Sequence, residues 1–139
     1  MSKHASYLDC CFNPKKQSKA IKRIKEQLKD IDFDAFIVTG MSGVIMGSVV
    51  ARSMKKQLTV VRKSSDGTHS NYPVENFIDG KYVFLDDLVA TGSTFNIVKQ
   101  KLKEENTKNA AKSKIVASVI YEFPQLKKGS SMPKKWYDK

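Results

Sequence analysis

Two adjacent carboxylates, Asp86 and Asp87, stand between a short apolar run and a turn of small residues. The run before them, Val83 to Leu85, is typical of a parallel strand that is buried on both faces. The turn after them, Ala90 to Thr94, offers successive backbone N–H groups at the start of a helix, an arrangement that binds phosphate. Because like charges repel, the carboxylates suit neutral hydroxyls, which donate hydrogen bonds to them. The segment therefore predicts a site for a sugar phosphate with vicinal hydroxyls.

The ordered set from Val83 to Phe95 resembles the signature of the type I phosphoribosyltransferases: hydrophobic residues, two acidic residues and a Thr-Gly-x-Thr loop. The resemblance implies that Asp86 and Asp87 hold the ribose hydroxyls of phosphoribosyl pyrophosphate (PRPP). It also implies that a loop holds the 5′-phosphate of PRPP, and this loop consists of Ala90, Thr91, Gly92, Ser93 and Thr94. An ordinary strand-turn-helix junction with an acidic N-cap explains one Asp and one Thr, but not the whole ordered set.

A second loop follows the apolar segment Phe33 to Val38, and its two glycines allow backbone amides to approach an anion closely. In the family that the signature resembles, the corresponding loop contacts pyrophosphate, and many members carry a basic residue there. This chain has Met41 and Ser42 at the middle positions, so binding would depend on backbone amides. The loop consists of Thr39, Gly40, Met41, Ser42 and Gly43. A plain helix N-terminus with Ser42 as its cap is the alternative.

Two basic residues, Arg62 and Lys63, end a third apolar segment, and residues 64–76 after them are rich in turn formers. This strand end resembles its counterpart in adenine and orotate phosphoribosyltransferases, where basic residues face pyrophosphate and the next loop closes over the active site. Closure would exclude water, which could otherwise take the ribosyl group. Tyr72 loosely resembles a tyrosine in the loop of the adenine enzymes, and a serine-rich surface loop is the alternative.

The resemblance implies a glycosyl transfer in which a nitrogen of a free nucleobase attacks the anomeric carbon of PRPP and pyrophosphate leaves. A transition state with oxocarbenium character needs charge stabilisation rather than a protein nucleophile. The catalytic set implied is Asp86, Asp87, Arg62 and Lys63. The cofactor implied is Mg²⁺, held mainly by PRPP with no direct protein ligand.

Ala90 stands where the 6-oxopurine enzymes of this family usually carry an aspartate, so the signature resembles adenine phosphoribosyltransferases and favours a purine. One short motif does not fix the base. Aromatic faces hold flat bases well, and the candidates for stacking are Tyr72, Phe123 and Trp136. For Trp136, a C-terminal tail that caps the core is the alternative.

The chain has 139 residues and a formal net charge of +11, and 40% of its residues are hydrophobic. This length favours one domain with a core. Because a basic surface attracts polyanions, the alternative to an enzyme is a PRPP- or nucleotide-sensing regulatory protein that binds RNA or DNA. A solvated lysine-rich surface is the simpler explanation of the charge.

No apolar stretch approaches a membrane span, and residues 1–6 lack a signal-peptide hydrophobic region. Adjacent cysteines, Cys10 and Cys11, rarely satisfy disulfide geometry, and neither histidine has ligand spacing to them. We therefore expect a cytoplasmic protein with reduced thiols and no metal site of its own. A homodimer is implied by the family resemblance alone.

Strands that alternate with helices predict a doubly wound α/β fold with a mostly parallel sheet, in a single domain over residues 1–139. Helices are expected at residues 14–30, through about 54 and at 93–105, and strands at 33–38, 58–61, 83–85 and 115–121. An N-terminal arm or strand (1–13) and an irregular tail (124–139), possibly a small C-terminal hood over the base, complete the chain. The carboxyl ends of parallel strands lie together, so the three loops should converge.

Overall fold

The computed structural model describes residues 9–62, 73–87, 93–121 and 125–129. The strands are β1 (Ala35–Thr39), β2 (Gln57–Val61), β3 (Val74–Glu75), β4 (Lys81–Asp86), β5 (Lys114–Ile120) and β6 (Gln125–Lys128). The helices are α1 (Asp9–Phe12), α2 (Pro14–Leu28), α3 (Gly40–Met54) and α4 (Ser93–Asn109). The strands form one sheet in the order β3-β2-β1-β4-β5-β6. The four inner strands are parallel and the two outer strands antiparallel, which confirms the predicted mostly parallel α/β sheet.

The α2 helix follows directly from its sequence. Asn13 is the N-cap, and its side-chain oxygen accepts hydrogen bonds from the backbone N–H groups of Lys15 and Lys16, each at 3.1 Å. Proline occupies the first helical position, where its missing N–H costs nothing. The residues Ala20, Ile24 and Leu28 recur every four positions and are buried against the sheet. The helix ends at Leu28, two residues before the predicted end at 30.

Two hydrophobic clusters lie on opposite faces of the sheet. The first joins α2 and α3 to the sheet through residues that include Ile24, Met46, Val50, Phe36 and Leu85. The second joins α4 to the other face through residues that include Phe95, Val98, Leu102, Ile37 and Phe84. The rings of Phe84 and Phe95 meet edge to face, with centroids 5.2 Å apart. Because both faces are covered, all five residues of β1 are buried.

Three sequence predictions, about the N-terminal segment and the two edges of the sheet, are wrong in part. Residues 9–12 form a helical turn, not the arm or strand expected of residues 1–13. Val74 and Glu75, expected in a loop, form β3 and pair with Val61 and Val60. Residues 125–128, expected in an irregular tail, form β6 beside β5. Each short element depends on pairing or packing with a distant segment, which leaves little local pattern in the sequence.

Close packing brings the start of α3 against the end of β1. A Cβ atom on Gly47 would lie 2.9 Å from Val38 Cγ1, and one on Gly43 would lie 3.3 Å from Val38 Cβ. Side chains at these glycines would push the helix outward. The absence of Cβ atoms therefore seats the first turn of α3 directly beside the strand end. In the part of the chain that the structure describes, no helix is both long and apolar enough to cross a bilayer.

Candidate active site at the carboxyl ends of the strands

Three neighbouring strands end at one place, as the sequence predicts. Thr39, the last residue of β1, pairs in register with Val61, the last residue of β2. On the other side of β1, Ile37 pairs with Phe84, so the end of β4 at Asp86 lies beside the end of β1. The structure thus brings together Arg62, the Thr39–Gly43 loop and the carboxylate pair, Asp86 and Asp87.

The carboxylate pair is held at the end of β4. Asp86 is only 9% exposed, and Asp87 is half-buried. The backbone N–H of Asp87 donates to Asp86 Oδ1 at 2.9 Å, which orients the Asp86 carboxylate. The carbonyl oxygen of Asp86 accepts a hydrogen bond of 3.1 Å from the backbone N–H of Tyr121. The Asp86 carboxylate is therefore oriented beside Asp87, at a strand end where ligand hydroxyls could donate hydrogen bonds to carboxylate oxygens.

The predicted 5′-phosphate loop is described only at its end. Ser93 and Thr94 form the first residues of α4, where Ser93 is exposed and Thr94 is half-buried. Ala90, Thr91 and Gly92 lie outside the described residues, so their role stays a prediction. The first turn of α4 contains no acidic residue, which leaves the positive end of the helix dipole uncompensated by its own sequence.

The Thr39–Gly43 loop is the start of α3 rather than a separate loop. Thr39 is the N-cap residue, but its side chain makes no capping hydrogen bond to the described first turn. Its hydroxyl donates instead to the carbonyl oxygen of Val61 at 2.7 Å. Gly40 begins the helix with φ of 78°, a conformation that favours glycine. Backbone N–H groups of a first helical turn have no partner within their helix, so this end is suited to an anion.

Met41 and Ser42, the middle residues of the predicted pyrophosphate loop, lie in the first turn of α3. Ser42 is not the cap, because the helix begins before it, at Gly40. The Met41 side chain is 69% exposed, so it contributes an apolar surface and no charge. Any pyrophosphate at this position would be bound through main-chain groups, since the side chains of these residues carry no positive charge.

Arg62 lies at the correct edge of the site but is already engaged. Its Nε and Nη2 atoms each lie 2.8 Å from Glu75 Oε2, and its backbone N–H donates to the Pro73 carbonyl at 2.8 Å. The pair is about one third exposed, so part of the guanidinium charge is neutralised by Glu75. Lys63 lies outside the described residues. Sequence reasoning missed Glu75, because a strand of two residues is too short to give a periodic signal.

Tyr121 is a second residue that sequence reasoning missed. Tyr121 is 1% exposed, and its hydroxyl lies 3.8 Å from Cys11 Sγ. Burial raises the pKa of the Tyr121 hydroxyl well above its usual range, so this group stays protonated. An aromatic residue at the end of an apolar run is typical of a core, and nothing in the sequence separates this case from ordinary packing.

Tyr72, Phe123 and Trp136 lie outside the described residues and stay predictions. Within the described ranges, no group of three or more His, Cys, Asp or Glu residues could hold a metal ion. The site offers carboxylate oxygens from Asp86 and Asp87, the hard donors that suit Mg²⁺ when a phosphate-bearing ligand supplies most of its other ligands.

Comparison with sequences of known function finds relatives of the chain. A scan against models of protein families finds none that matches the chain. Over 108 residues, the chain is 32% identical to an adenine phosphoribosyltransferase of Pseudothermotoga lettingae. The aligned part is 66% of this chain and 64% of the relative, so the chain spans slightly less than two thirds of that relative's length.

Solved structures share the fold. An adenine phosphoribosyltransferase from Rhodothermus marinus superposes with a TM-score of 0.61 at 16% identity, over 78% of this chain and 67% of that one. A phosphoribosyltransferase from Corynebacterium diphtheriae gives a TM-score of 0.64 at 15% identity, over 80% and 64%. UMP synthase from Leishmania donovani gives 0.62 at 20% identity, over 78% and 22%. The strand-end signature, the shared fold and the sequence relative agree: the chain has the fold of the type I phosphoribosyltransferases and is similar in sequence to one of them.

Proposed function

We propose that the chain transfers the ribose 5-phosphate group of PRPP to a nitrogen of a free nucleobase, with release of pyrophosphate. One observation carries the proposal. The carboxylate pair lies on the strand next to β1, and β1 leads into a helix whose N-cap side chain leaves the first turn open. Carboxylates that can accept hydrogen bonds from hydroxyls therefore lie beside backbone amides that can bind phosphate, at the ends of adjacent strands. A phosphorylated ribose needs both kinds of group.

The residues would act by position and charge. Asp86 and Asp87 would accept hydrogen bonds from the ribose hydroxyls and stabilise the positive charge that develops on the sugar. The first-turn amides of α3 would bind the leaving pyrophosphate, and Arg62 and Lys63 would offset its charge. The loop from Ala90 to Thr94 would hold the 5′-phosphate. Mg²⁺, held mainly by PRPP itself, would neutralise part of the phosphate charge.

A purine is the favoured base. The absence of an aspartate at Ala90 and the likeness to an adenine phosphoribosyltransferase both support this choice. Tyr72, Phe123 and Trp136 are the proposed contacts to the base. A homodimer is proposed from the family resemblance, and a cytoplasmic location from the adjacent cysteines, Cys10 and Cys11.

A second candidate function is favoured by the surface of α2. This helix carries six basic residues and one acidic residue, and all six basic side chains are exposed. A PRPP- or nucleotide-sensing regulatory protein could use such a surface to bind RNA or DNA. Binding of that kind weakens steeply as salt concentration rises, and a gel-shift titration across salt concentrations would detect it.

The test of the enzyme is a screen of free bases. The protein is incubated with PRPP, Mg²⁺ and one of adenine, hypoxanthine, guanine, xanthine, uracil or orotate, and the nucleotide and pyrophosphate are separated by chromatography. We expect turnover with a purine. Absence of product with every base, together with a salt-sensitive gel shift, would favour the regulatory protein instead.

A further inference from the structure

Arg62 lies beside the first turn of α3. Val61, the residue before it, is in register with Thr39, and the Thr39 hydroxyl donates to the Val61 carbonyl oxygen at 2.7 Å. Thr39 is the N-cap residue of α3, and Gly40 begins the helix. The backbone therefore leaves β2 next to the helix start whose amides are proposed to bind pyrophosphate.

The antiparallel strand β3 holds Arg62 from its other side. Val60 of β2 pairs with Glu75 of β3. The backbone N–H of Arg62 donates to the carbonyl oxygen of Pro73, directly before β3, at 2.8 Å. This pairing fixes the backbone of Arg62 and brings the Glu75 side chain to the Arg62 side chain.

The Glu75 carboxylate holds one edge of the Arg62 guanidinium. Arg62 Nε donates to Glu75 Oε2 at 2.8 Å, and Nη2 lies 2.8 Å from the same oxygen. The Nη1 end of the guanidinium is outside this pair and carries N–H donors of its own. Because N–H groups of arginine suit phosphate oxygens, Arg62 could contact Glu75 and a phosphate at the same time.

Two effects of Glu75 on an anion beside Arg62 have opposite signs. Its negative charge repels pyrophosphate, but the side chains of Arg62 and Glu75 are 27% and 36% exposed, so water and salt weaken this repulsion. Its hydrogen bond to Arg62 removes rotamer freedom that a free arginine would lose when it binds the ligand. Arginine has one of the largest side-chain entropies to lose, so we expect positioning to outweigh repulsion.

We propose that Glu75 is a positioning residue that holds the Arg62 guanidinium in place for the pyrophosphate group of PRPP. The proposal rests on the function proposed above. Glu75 acts through Arg62 in this role and does not contact the ligand. Removal of this carboxylate should therefore weaken the binding of an anion, which is the opposite of what charge alone would give.

The test is titration calorimetry of pyrophosphate and of PRPP, each with Mg²⁺, into Glu75→Ala. We expect both Kd values to rise about threefold to tenfold, the cost of ordering one long side chain on binding. Glu75→Gln keeps an oxygen that can accept from Arg62 and should restore most of the affinity. Arg62→Ala combined with Glu75→Ala should bind no more weakly than Arg62→Ala alone, because both changes remove one interaction.

Glu104→Ala is the matched control. Glu104 is exposed in the second half of α4, which runs away from the carboxyl ends of the strands, so its loss changes the net charge equally and should leave both Kd values nearly unchanged. Unfolding midpoints of all variants separate weaker binding from loss of structure. If Glu75→Ala does not fold, Glu75→Asp replaces it: the charge is kept, the side chain is shorter, and binding should again weaken.

The outcomes separate the two proposals. If wild-type protein binds neither pyrophosphate nor PRPP, the proposed function fails. If wild-type protein binds them and the folded Glu75 variant binds as tightly or more tightly, the positioning role is overturned. A further loss when Glu75→Ala is added to Arg62→Ala would also overturn it, because Glu75 would then act without Arg62.

Discussion

The two ends of the parallel strands use aspartate in opposite ways. At the amino end, Asp34 Oδ2 accepts the backbone N–H of Lys81 at 2.8 Å, and Asp79 Oδ1 accepts the backbone N–H of Lys112 at 2.9 Å. Each of these bonds joins segments that are far apart in sequence. At the carboxyl end, Asp86 Oδ1 accepts a backbone N–H from the next residue, Asp87. That bond orients a carboxylate without joining two elements.

The difference predicts that aspartates at the amino end stabilise the fold, whereas those at the carboxyl end bind a ligand. A carboxylate that bonds a distant backbone amide holds the fold together, and its loss should lower stability. Two adjacent carboxylates repel each other and add less to stability, so we expect the pair at the end of β4 to serve ligand binding. The amino-end aspartates should therefore matter for unfolding and the carboxyl-end pair for binding. The following variants test that division, in order of decreasing effect.

Arg62→Ala tests the role of positive charge at the carboxyl ends of the strands. Removing the guanidinium should reduce PRPP affinity about tenfold, because one charge-assisted contact is lost and the Arg62 charge no longer offsets the negative charge of Glu75. Titration calorimetry with PRPP and Mg²⁺ measures this effect. Arg52→Ala removes the same charge from an exposed position in the last turn of α3 and should change affinity little. Equal losses in the two variants would mean that only net charge attracts PRPP.

Asp34→Ala tests the amino end. The loss of the bond to the Lys81 N–H should lower the free energy of unfolding by about 1 kcal/mol, while PRPP affinity is retained. Chemical denaturation provides the measurement. Gly80→Ala should have a related effect, since a Cβ at that position would lie 2.5 Å from Asp34 Oδ2 and displace the carboxylate. Asp30→Ala removes an exposed carboxylate from the turn after α2 and should leave stability unchanged. A fall in PRPP affinity with Asp34→Ala would contradict the claim that the amino-end aspartates affect stability and not binding.

Asp32→Asn is expected to have the smallest effect. The hydrogen bond and the charge of Lys81 lower the pKa of Asp32 below its ordinary value of 3.8, and Asp32 raises the pKa of Lys81 above 10.5. The pair therefore stabilises the folded protein at pH values between 3.8 and 10.5. The contribution is lost as pH falls through the lowered pKa of Asp32 or rises through the raised pKa of Lys81. Because both groups are exposed, the change in unfolding midpoint should be slight near neutral pH and absent at high salt. A change that persists at high salt would contradict this account.

The central elements could be predicted from the sequence because local patterns specify them. Asn13 and Pro14 mark the start of α2, and the apolar run before Asp86 marks β4 as a buried strand. Convergence of the three strand ends follows from parallel pairing alone. Helix ends were less predictable: α4 continues to Asn109, four residues beyond the predicted end, since lysine, glutamate and asparagine at its exposed positions give no stop signal.

The residues that were missed act through partners distant in sequence. Glu75 is recognisable only when β3 is paired with β2, which brings it to Arg62. Tyr121 lies 110 residues after Cys11 in the chain, and only the fold brings their side chains together. The pattern of residues along the sequence predicts neither contact. The pyrophosphate role of the Thr39–Gly43 segment was inferred from its glycines, but the uncapped helix start became visible only in the fold.

The central claim is that the carboxylate pair binds the ribose of PRPP. The most direct measurement is titration calorimetry of PRPP with Mg²⁺ into wild-type protein and into the double variant Asp86→Asn with Asp87→Asn, with unfolding midpoints determined for both. We expect the double variant to remain folded and to lose at least about 100-fold in affinity, as charge-assisted hydrogen bonds from two hydroxyls are weakened. A folded double variant that binds PRPP as tightly as the wild type would contradict the account.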